Sequence, residues 1–265
     1  PVENTSNMGV FCTIPPNGVI TGGLAELITI PALPAKENCQ KIAAGVTFSK
    51  EMEPQVDINY AYTGYTSTSL RNSIIQDPSY REKETVLRLV PLADKRDNIV
   101  KFTTANERFD NYYSNKPLEI TATVNVPELV EQAGPKYLFK VGAILGDQQN
   151  LYDKPNRTMP VDLAYPHSFS RTITINIPQG YKITNPEALR MHADYVDKNV
   201  KPTISFSSNY VLKTDKKNGD KLIVYVNENY SQIHFSPSEY EQYRKVVNTA
   251  ADFNKVTLLM EKKRG

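Results

Sequence analysis

Three histidines and two cysteines are the residues in this sequence that most readily do chemistry, and their spacing decides what chemistry is open. Nucleophilic cysteine catalysis needs a thiolate, an imidazole to take its proton and a third group to orient the ring. Cys12 with His167, His192 or His234 supplies that inventory on paper. A catalytic thiol is favoured at a helix N-terminus, where the dipole lowers its pKa. Cys12 instead lies in Val10-Phe11-Cys12-Thr13-Ile14 and is followed at once by Pro15-Pro16, a setting that suits a small buried residue. The histidines are 25 and 42 positions apart, which is no ligand spacing, and no cysteine pair completes a zinc set. Asp194 with Asp197, and Glu239 with Glu241, fall on polar stretches that read as solvated faces or helix-start charges. Thr21-Gly22-Gly23 lacks the lysine and the further glycines of a phosphate loop. No catalytic, metal or cofactor-binding residue is therefore assigned, and no cofactor is expected.

Binding is the other chemistry to weigh. Tyr60, Tyr62 and Tyr65, taken together on one strand, would make an aromatic platform for sugar or peptide; strand packing with the hydroxyls at the rim is the competing reading. Asn4-Thr5-Ser6, Asn156-Arg157-Thr158 and Asn229-Tyr230-Ser231 match the glycosylation acceptor pattern, which has meaning only on a eukaryotic secretory route.

The elements that must carry these residues are mainly strands. Sixteen Tyr, nine Phe and eighteen Pro against twelve Gly, with no Trp, favour strands joined by proline-bounded turns. Residues 1–44 are broken by Pro15-Pro16-Asn17-Gly18, Gly22-Gly23 and Pro31-Ala32-Leu33-Pro34 into a strand-and-loop lead-in. Val46 and Phe48, then Val56, Ile58, Tyr60 and Tyr62, alternate with polar neighbours as two strands reversing over Lys50–Pro54. Past Gly64 the spacing turns helical through Leu70 and Ile74. A second short helix is expected from Tyr80 to Val90 on a Tyr80, Glu84, Leu87, Val90 stripe. Leu118–Val124, Tyr137–Val141 and Arg171–Ile177 alternate as strands, the last with Ile173, Ile175 and Ile177 on one face. Thr203–Val211 and Lys221–Val226 read as a hairpin around Asn218-Gly219, and His234-Phe235 as the next strand. Ser236-Pro237-Ser238-Glu239 is a capping box opening a helix through Tyr240, Tyr243, Val247 and Ala250, and Val256, Leu258 and Met260 close the chain in a strand. The fold class expected is mainly β: two β-sandwich-like antiparallel domains with a few short helices, 1–168 and 169–265.

Bulk numbers bound the partners. Thirty-one basic and 29 acidic side chains leave a net charge of +2, so no strong field gathers nucleic acid or anionic lipid. No apolar run approaches the ~18 residues of a membrane span, and no export signal opens the sequence. A chain starting Pro1-Val2-Glu3 reads as processed or cut from a longer product, with any such signal upstream. Cys12 and Cys39 allow one disulfide or none, and spacing does not choose.

Several separated segments resemble a known family. Val141-Gly142-Ala143-Ile144-Leu145-Gly146-Asp147-Gln148-Gln149-Asn150-Leu151-Tyr152 is followed by Arg157-Thr158-Met159-Pro160-Val161 and Tyr165-Pro166-His167-Ser168-Phe169-Ser170-Arg171. With Ile175–Tyr181, Ser238–Tyr240 and Ala250–Lys255, these are similar to the C-terminal flank of large transglutaminase-like envelope proteins of Gram-negative bacteria. The resemblance runs from about Gly45 to the end. It implies a non-catalytic accessory region beside an upstream, cysteine-protease-like transglutaminase core of the same polypeptide, exported to the periplasm or envelope. The alternative is an independent glycan- or peptide-binding module. Tyr60, Tyr62, Tyr65, Gln148, Tyr152, Arg157 and His167 form the candidate interaction surface for a protein or glycan partner.

Overall fold

The computed structural model describes residues 8–12, 25–29, 32–77, 79, 84–153, 157–196, 202–215 and 219–263, with 8–12, 25–29 and 84–85 described by backbone alone. The expected turns at 15–18, 21–23 and 216–218, Tyr80, Asp197 and the asparagines Asn4 and Asn156 lie outside the described residues. Strands hold 43% of the chain, about twice the 20–25% usual in soluble domains, and they run mostly antiparallel beside three α-helices. The chain is thus mainly β, as its alternation predicts.

Strands β1 (Met8–Cys12) and β2 (Ala25–Thr29) form a two-stranded antiparallel ladder. The main sheet begins at β3 (Cys39–Phe48), which turns back through Met52, held at φ 67°, into β4 (Pro54–Tyr62). Helix α1 (Gly64–Gln76) follows and buries Ile74, while Ile75 faces out. Then come β5 (Ile99–Ala105), the short helix α2 (Phe109–Tyr113) and β6 (Leu118–Asn125). A hairpin of β7 (Val130–Ala133) and β8 (Lys136–Phe139) turns on Gly134-Pro135. After β9 (Val161–Asp162) the chain returns to the main sheet as β10 (His167–Asn176). The remaining strands are β11 (Tyr181–Ile183), β12 (Met191–Val196), β13 (Pro202–Lys213), β14 (Lys221–Tyr230), β15 (His234–Phe235) and, after helix α3 (Tyr240–Asn254), β16 (Leu258–Lys262).

The main sheet has the order β12-β13-β14-β10-β3-β4-β6-β5, antiparallel except where β10 runs parallel to β3. Its inner face is written by period-two alternation. Ile42, Ala44 and Val46 on β3 lie level with Val56, Ile58 and Tyr60 on β4, with Ile173 and Ile175 on β10, and with Val224 and Val226 on β14, all buried. A fully buried isoleucine such as Ile173 contributes roughly 1.5–3 kcal/mol. The opposite face carries Ala43, Asn59, Thr121, Thr172 and Thr174.

Helix α3 covers the inner face at the β12–β13 end, where Phe253 meets Phe206 with ring centroids 6.0 Å apart. A second sheet, ordered β11-β16-β8-β7, brings Phe139 onto Phe48 at 5.3 Å. One contiguous apolar cluster runs from Ile42 to Met260.

The 168/169 point falls inside β10, and residues on both sides of it join one ladder with β3. Two expectations change. From Glu84 to Arg88 the chain makes a 3-10 turn and not the expected α-helix; Val86, Leu89 and Val90 are buried, Val90 as the stripe had it, with Leu87 half-buried. Val141 leaves the strand for a 3-10 turn, Val141–Leu145, because Gly142 packs directly on the backbone of Phe253 and Asn254.

Candidate functional site

At the start of β3 and β10 the chain forms a cleft of about 290 Å³ lined by Asn38, Gln40, Thr66, Leu163, Ala164, Tyr165, His167, Ser168 and Phe169. Register places the floor. Gln40 on β3 stands opposite Phe169 on β10, and His167 shares the face of Phe169 two residues away. The Tyr165 ring closes one side, 4.9 Å from Tyr65 at the start of α1 and 6.0 Å from His167. Behind His167 the Tyr230 ring of β14 stacks at 4.8 Å and 21°.

Asn38 sets the geometry of this corner. Its Nδ2 donates to the carbonyls of Leu33 (3.2 Å) and Pro166 (2.9 Å), and its Oδ1 accepts from the Tyr65 backbone N–H (3.0 Å). One side chain, 3% exposed, thus ties the lead-in, the turn before β10 and the first turn of α1. Its bonds occupy both amide donors, and a buried amide so satisfied avoids the cost of an unpaired polar group.

Several polar atoms in and beside the cleft already have partners. Gln40 Nε2 donates to the Tyr62 hydroxyl (3.3 Å), and Ser168 Oγ donates to the Ala35 carbonyl (2.9 Å). His167 Nδ1 lies 3.0 Å from the Tyr165 carbonyl oxygen. A carbonyl only accepts, so the neutral ring carries its proton on Nδ1 and leaves Nε2 as an acceptor. Thr66 and Tyr165 share a hydroxyl pair at 3.2 Å.

Beneath the floor lies a buried charge pair. Arg171 binds Glu228, both side chains 2% exposed, and Glu228 Oε2 accepts from the Tyr230 hydroxyl at 2.9 Å. Burial, then the Glu228 carboxylate, pushes the Tyr230 phenol far above its ordinary range. The guanidinium carbon sits 4.4 Å over the Phe169 ring, so the cleft wall rests on a rigid ionic layer.

The sequence-expected surface divides. Tyr60 and Tyr62, 1% and 6% exposed, point into the core with their rings stacked at 6.2 Å; burial raises Tyr60 steeply and Tyr62 to about 12. They form no exposed platform, because their phase on β4 is that of Val56 and Ile58. Tyr65 belongs to α1, and with His167 it joins the cleft region. Tyr152 and Arg157 flank α3 instead: the Tyr152 hydroxyl donates to the Asn248 carbonyl (3.2 Å) under Lys255, and Arg157 lies 5.9 Å over Tyr240. Gln148 lies half-buried in the loop before them. Tyr165, Asn38, Gln40 and Phe169 were missed. The Gln40 and Ile42 alternation was the available signal for an earlier start to β3.

Cys39 is a free, buried thiol, and the side chain of Cys12 lies outside the described ones. Register pairs Cys39 with Ser168, and alternation then sends Cys39 and His167 to opposite faces. His192 meets Asp194 at 3.4 Å and His234 meets Asp162 at 2.7 Å, both on exposed positions. Among the described residues no group of His, Cys, Asp and Glu could hold a metal ion, and no helix is long and apolar enough to cross a membrane.

No curated protein and no solved structure matches this chain significantly. Residues 136–260 match the family described as a domain of unknown function with solved structure, DUF3858. That span opens on β8 and closes in β16, so it supplies β10 and β12–β14 while β3–β6 precede it. The chain therefore contains a DUF3858 domain at residues 136–260, built into a sheet that it shares with the residues before it.

Proposed function

We propose that this chain is a non-catalytic accessory region that positions a transglutaminase-like, cysteine-protease-like core of the same polypeptide in the bacterial periplasm or cell envelope. One observation carries the reading. The DUF3858 match at 136–260 encloses every segment on which the resemblance rests, from Val141–Tyr152 to Ala250–Lys255. The continuous sheet supports it, since a rigid platform spanning residues 39–230 suits a positioning role. The buried polar side chains also serve internal ties, Asn38 between three segments and Arg171 to Glu228.

The complete reading frame is the first test: a Cys, His and Asp core should precede Pro1, and its absence overturns the reading. The second is enzymatic. Purified chain should show no peptidase or transamidase turnover, and the core should lose stability or turnover when this region is deleted. Turnover by the chain alone, or a core indifferent to the deletion, sinks the proposal.

A further inference from the structure

We propose that the cleft between β3, β10 and the first turn of α1 binds a single neutral sugar ring, a site that does not depend on the accessory role above. Three features of the cleft select this ligand. The first is charge: no Lys, Arg, Asp or Glu is among its lining side chains, and His167 is the single imidazole there. A carboxylate or phosphate ligand would lose its hydration without gaining a counter-charge. The second is size. About 290 Å³ is at the lower end of ligand pockets and admits one ring rather than a chain.

The third is the hydrogen-bond inventory. Gln40 spends one Nε2 hydrogen on Tyr62 and His167 its Nδ1 hydrogen on Tyr165, while the Ser168 side chain, in register with Cys39, points to the other face. What remains is mixed: Gln40 Oε1 and His167 Nε2 accept, the second Gln40 Nε2 hydrogen donates, and the Thr66–Tyr165 hydroxyl pair keeps one O–H. A ligand that fills the cleft must bring several hydroxyls able to donate and accept, together with an apolar face to lie on Tyr165 and Phe169. A pyranose has both. An aromatic peptide side chain brings the apolar face with at most one hydroxyl, which would leave the remaining donors and acceptors stripped of water. Of the two ligand classes that the tyrosines suggested, the cleft favours sugar over peptide.

Asn38 makes the site pre-formed, because its three bonds hold Pro166, Leu33 and Tyr65 before any ligand arrives. A pre-organised site limits the ordering cost of binding.

The test is titration of the full chain, labelled for side-chain amide and imidazole resonances, with neutral methyl glycosides and N-acetylglucosamine. A ligand this small should bind with a dissociation constant on the order of 1 mM and shift the Gln40 and His167 signals. Tyr165→Ala should weaken binding at least about tenfold. Ala164→Glu, at an exposed lining position, should abolish it without touching the core. N-acetyltyrosinamide and glucuronate serve as the competing peptide-like and charged probes. The proposal is overturned if the glycosides leave both side chains unmoved, if Ala164→Glu binds as well as the parent, or if either competing probe binds more tightly. None of these results touches the accessory reading, which stands or falls on the upstream core and its turnover.

Discussion

Arg171 on β10 and Glu228 on β14 face each other inside the core, each 2% exposed, in a pair that nothing on the surface screens. The two strands are hydrogen-bonded neighbours, and the same register that pairs Phe169 with Glu228 sets Arg171 against Val226. Glu228 is further held by the Tyr230 hydroxyl, and Arg171 by the Phe169 ring, while Arg171 Nε has no hydrogen-bond partner among the described residues. Incomplete satisfaction of this kind means that the pair adds little net stability yet costs a great deal when halved.

Glu228→Gln should therefore destabilise the chain by about 3–5 kcal/mol, because an uncompensated guanidinium stays buried. Replacing both partners, Arg171→Met with Glu228→Leu, should recover most of that loss or exceed the parent. Urea unfolding of the parent and the two variants measures it. A single substitution as harmless as the double one would show that the pair is not desolvated.

Glu239 predicts an acid-dependent term. Its carboxylate accepts from the Ser236 hydroxyl (2.7 Å) and backbone N–H (2.8 Å), from the Tyr195 hydroxyl (2.9 Å) and from Gln232 (3.2 Å). The Ser236 hydroxyl, then its backbone N–H, hold the group at about 2, below its ordinary 4.5. A depressed folded-state pKa stabilises above the unfolded value, and the benefit fades as pH falls from 4.5 toward 2. Glu239→Gln should cost about 0.5–2 kcal/mol at pH 6. The gap between parent and variant should close by pH 2, as read by thermal melts across that range. A gap independent of pH would place the effect in packing instead.

Much of this was legible because one face of each strand is buried. Ile173, Ile175 and Ile177 announced β10, and Tyr240, Tyr243, Val247 and Ala250 announced α3, all now in the core. Ser236 and Glu239 do bond to each other ahead of that helix, but its regular turns begin at Tyr240 and not at the expected Pro237, with no side-chain cap. The site was less legible, since its parts come from Asn38 and Gln40, from Thr66 and from residues 163–169, and meet through the parallel ladder of β3 with β10 and the bonds of Asn38. Nothing local in Glu37-Asn38-Cys39-Gln40 announces that Asn38 will reach Pro166. The tyrosines misled for a related reason: alternation fixed that Tyr60 and Tyr62 share a face, but which face turns inward depends on α3 and the small sheet, whose docking is non-local.

Asn38→Asp should loosen the cleft selectively. The change removes two amide donors and sets a carboxylate against the Leu33 and Pro166 carbonyl oxygens, leaving both acceptors unpaired at about 1–3 kcal/mol each. Hydrogen exchange should quicken in residues 33–38 and 165–168 while β13 and β14 stay protected. Uniform acceleration would mean that Asn38 holds the whole sheet, and no acceleration that the three ties are dispensable.

Gly142→Ala tests the joint between the Val141–Leu145 turn and the end of α3. A Cβ there would overlap the Phe253 carbonyl oxygen and stand 2.6 Å from the carbonyl carbon of Asn254. Both obstacles are backbone, so neither can swing aside; the turn or the helix end must shift, and overpacking of this kind costs about 1–3 kcal/mol or more. Gly45→Ala is the matched control, since its Cβ would meet only the Asp57 carbonyl at 3.9 Å on the outer face of β3. That substitution should be neutral or stabilise by up to about 1 kcal/mol, as Gly to Ala does where space and backbone allow. Thermal unfolding of the pair decides the matter. Equal melting temperatures would mean that the Val141–Leu145 turn is free to move off α3, and with it the packing of the small sheet against the large one.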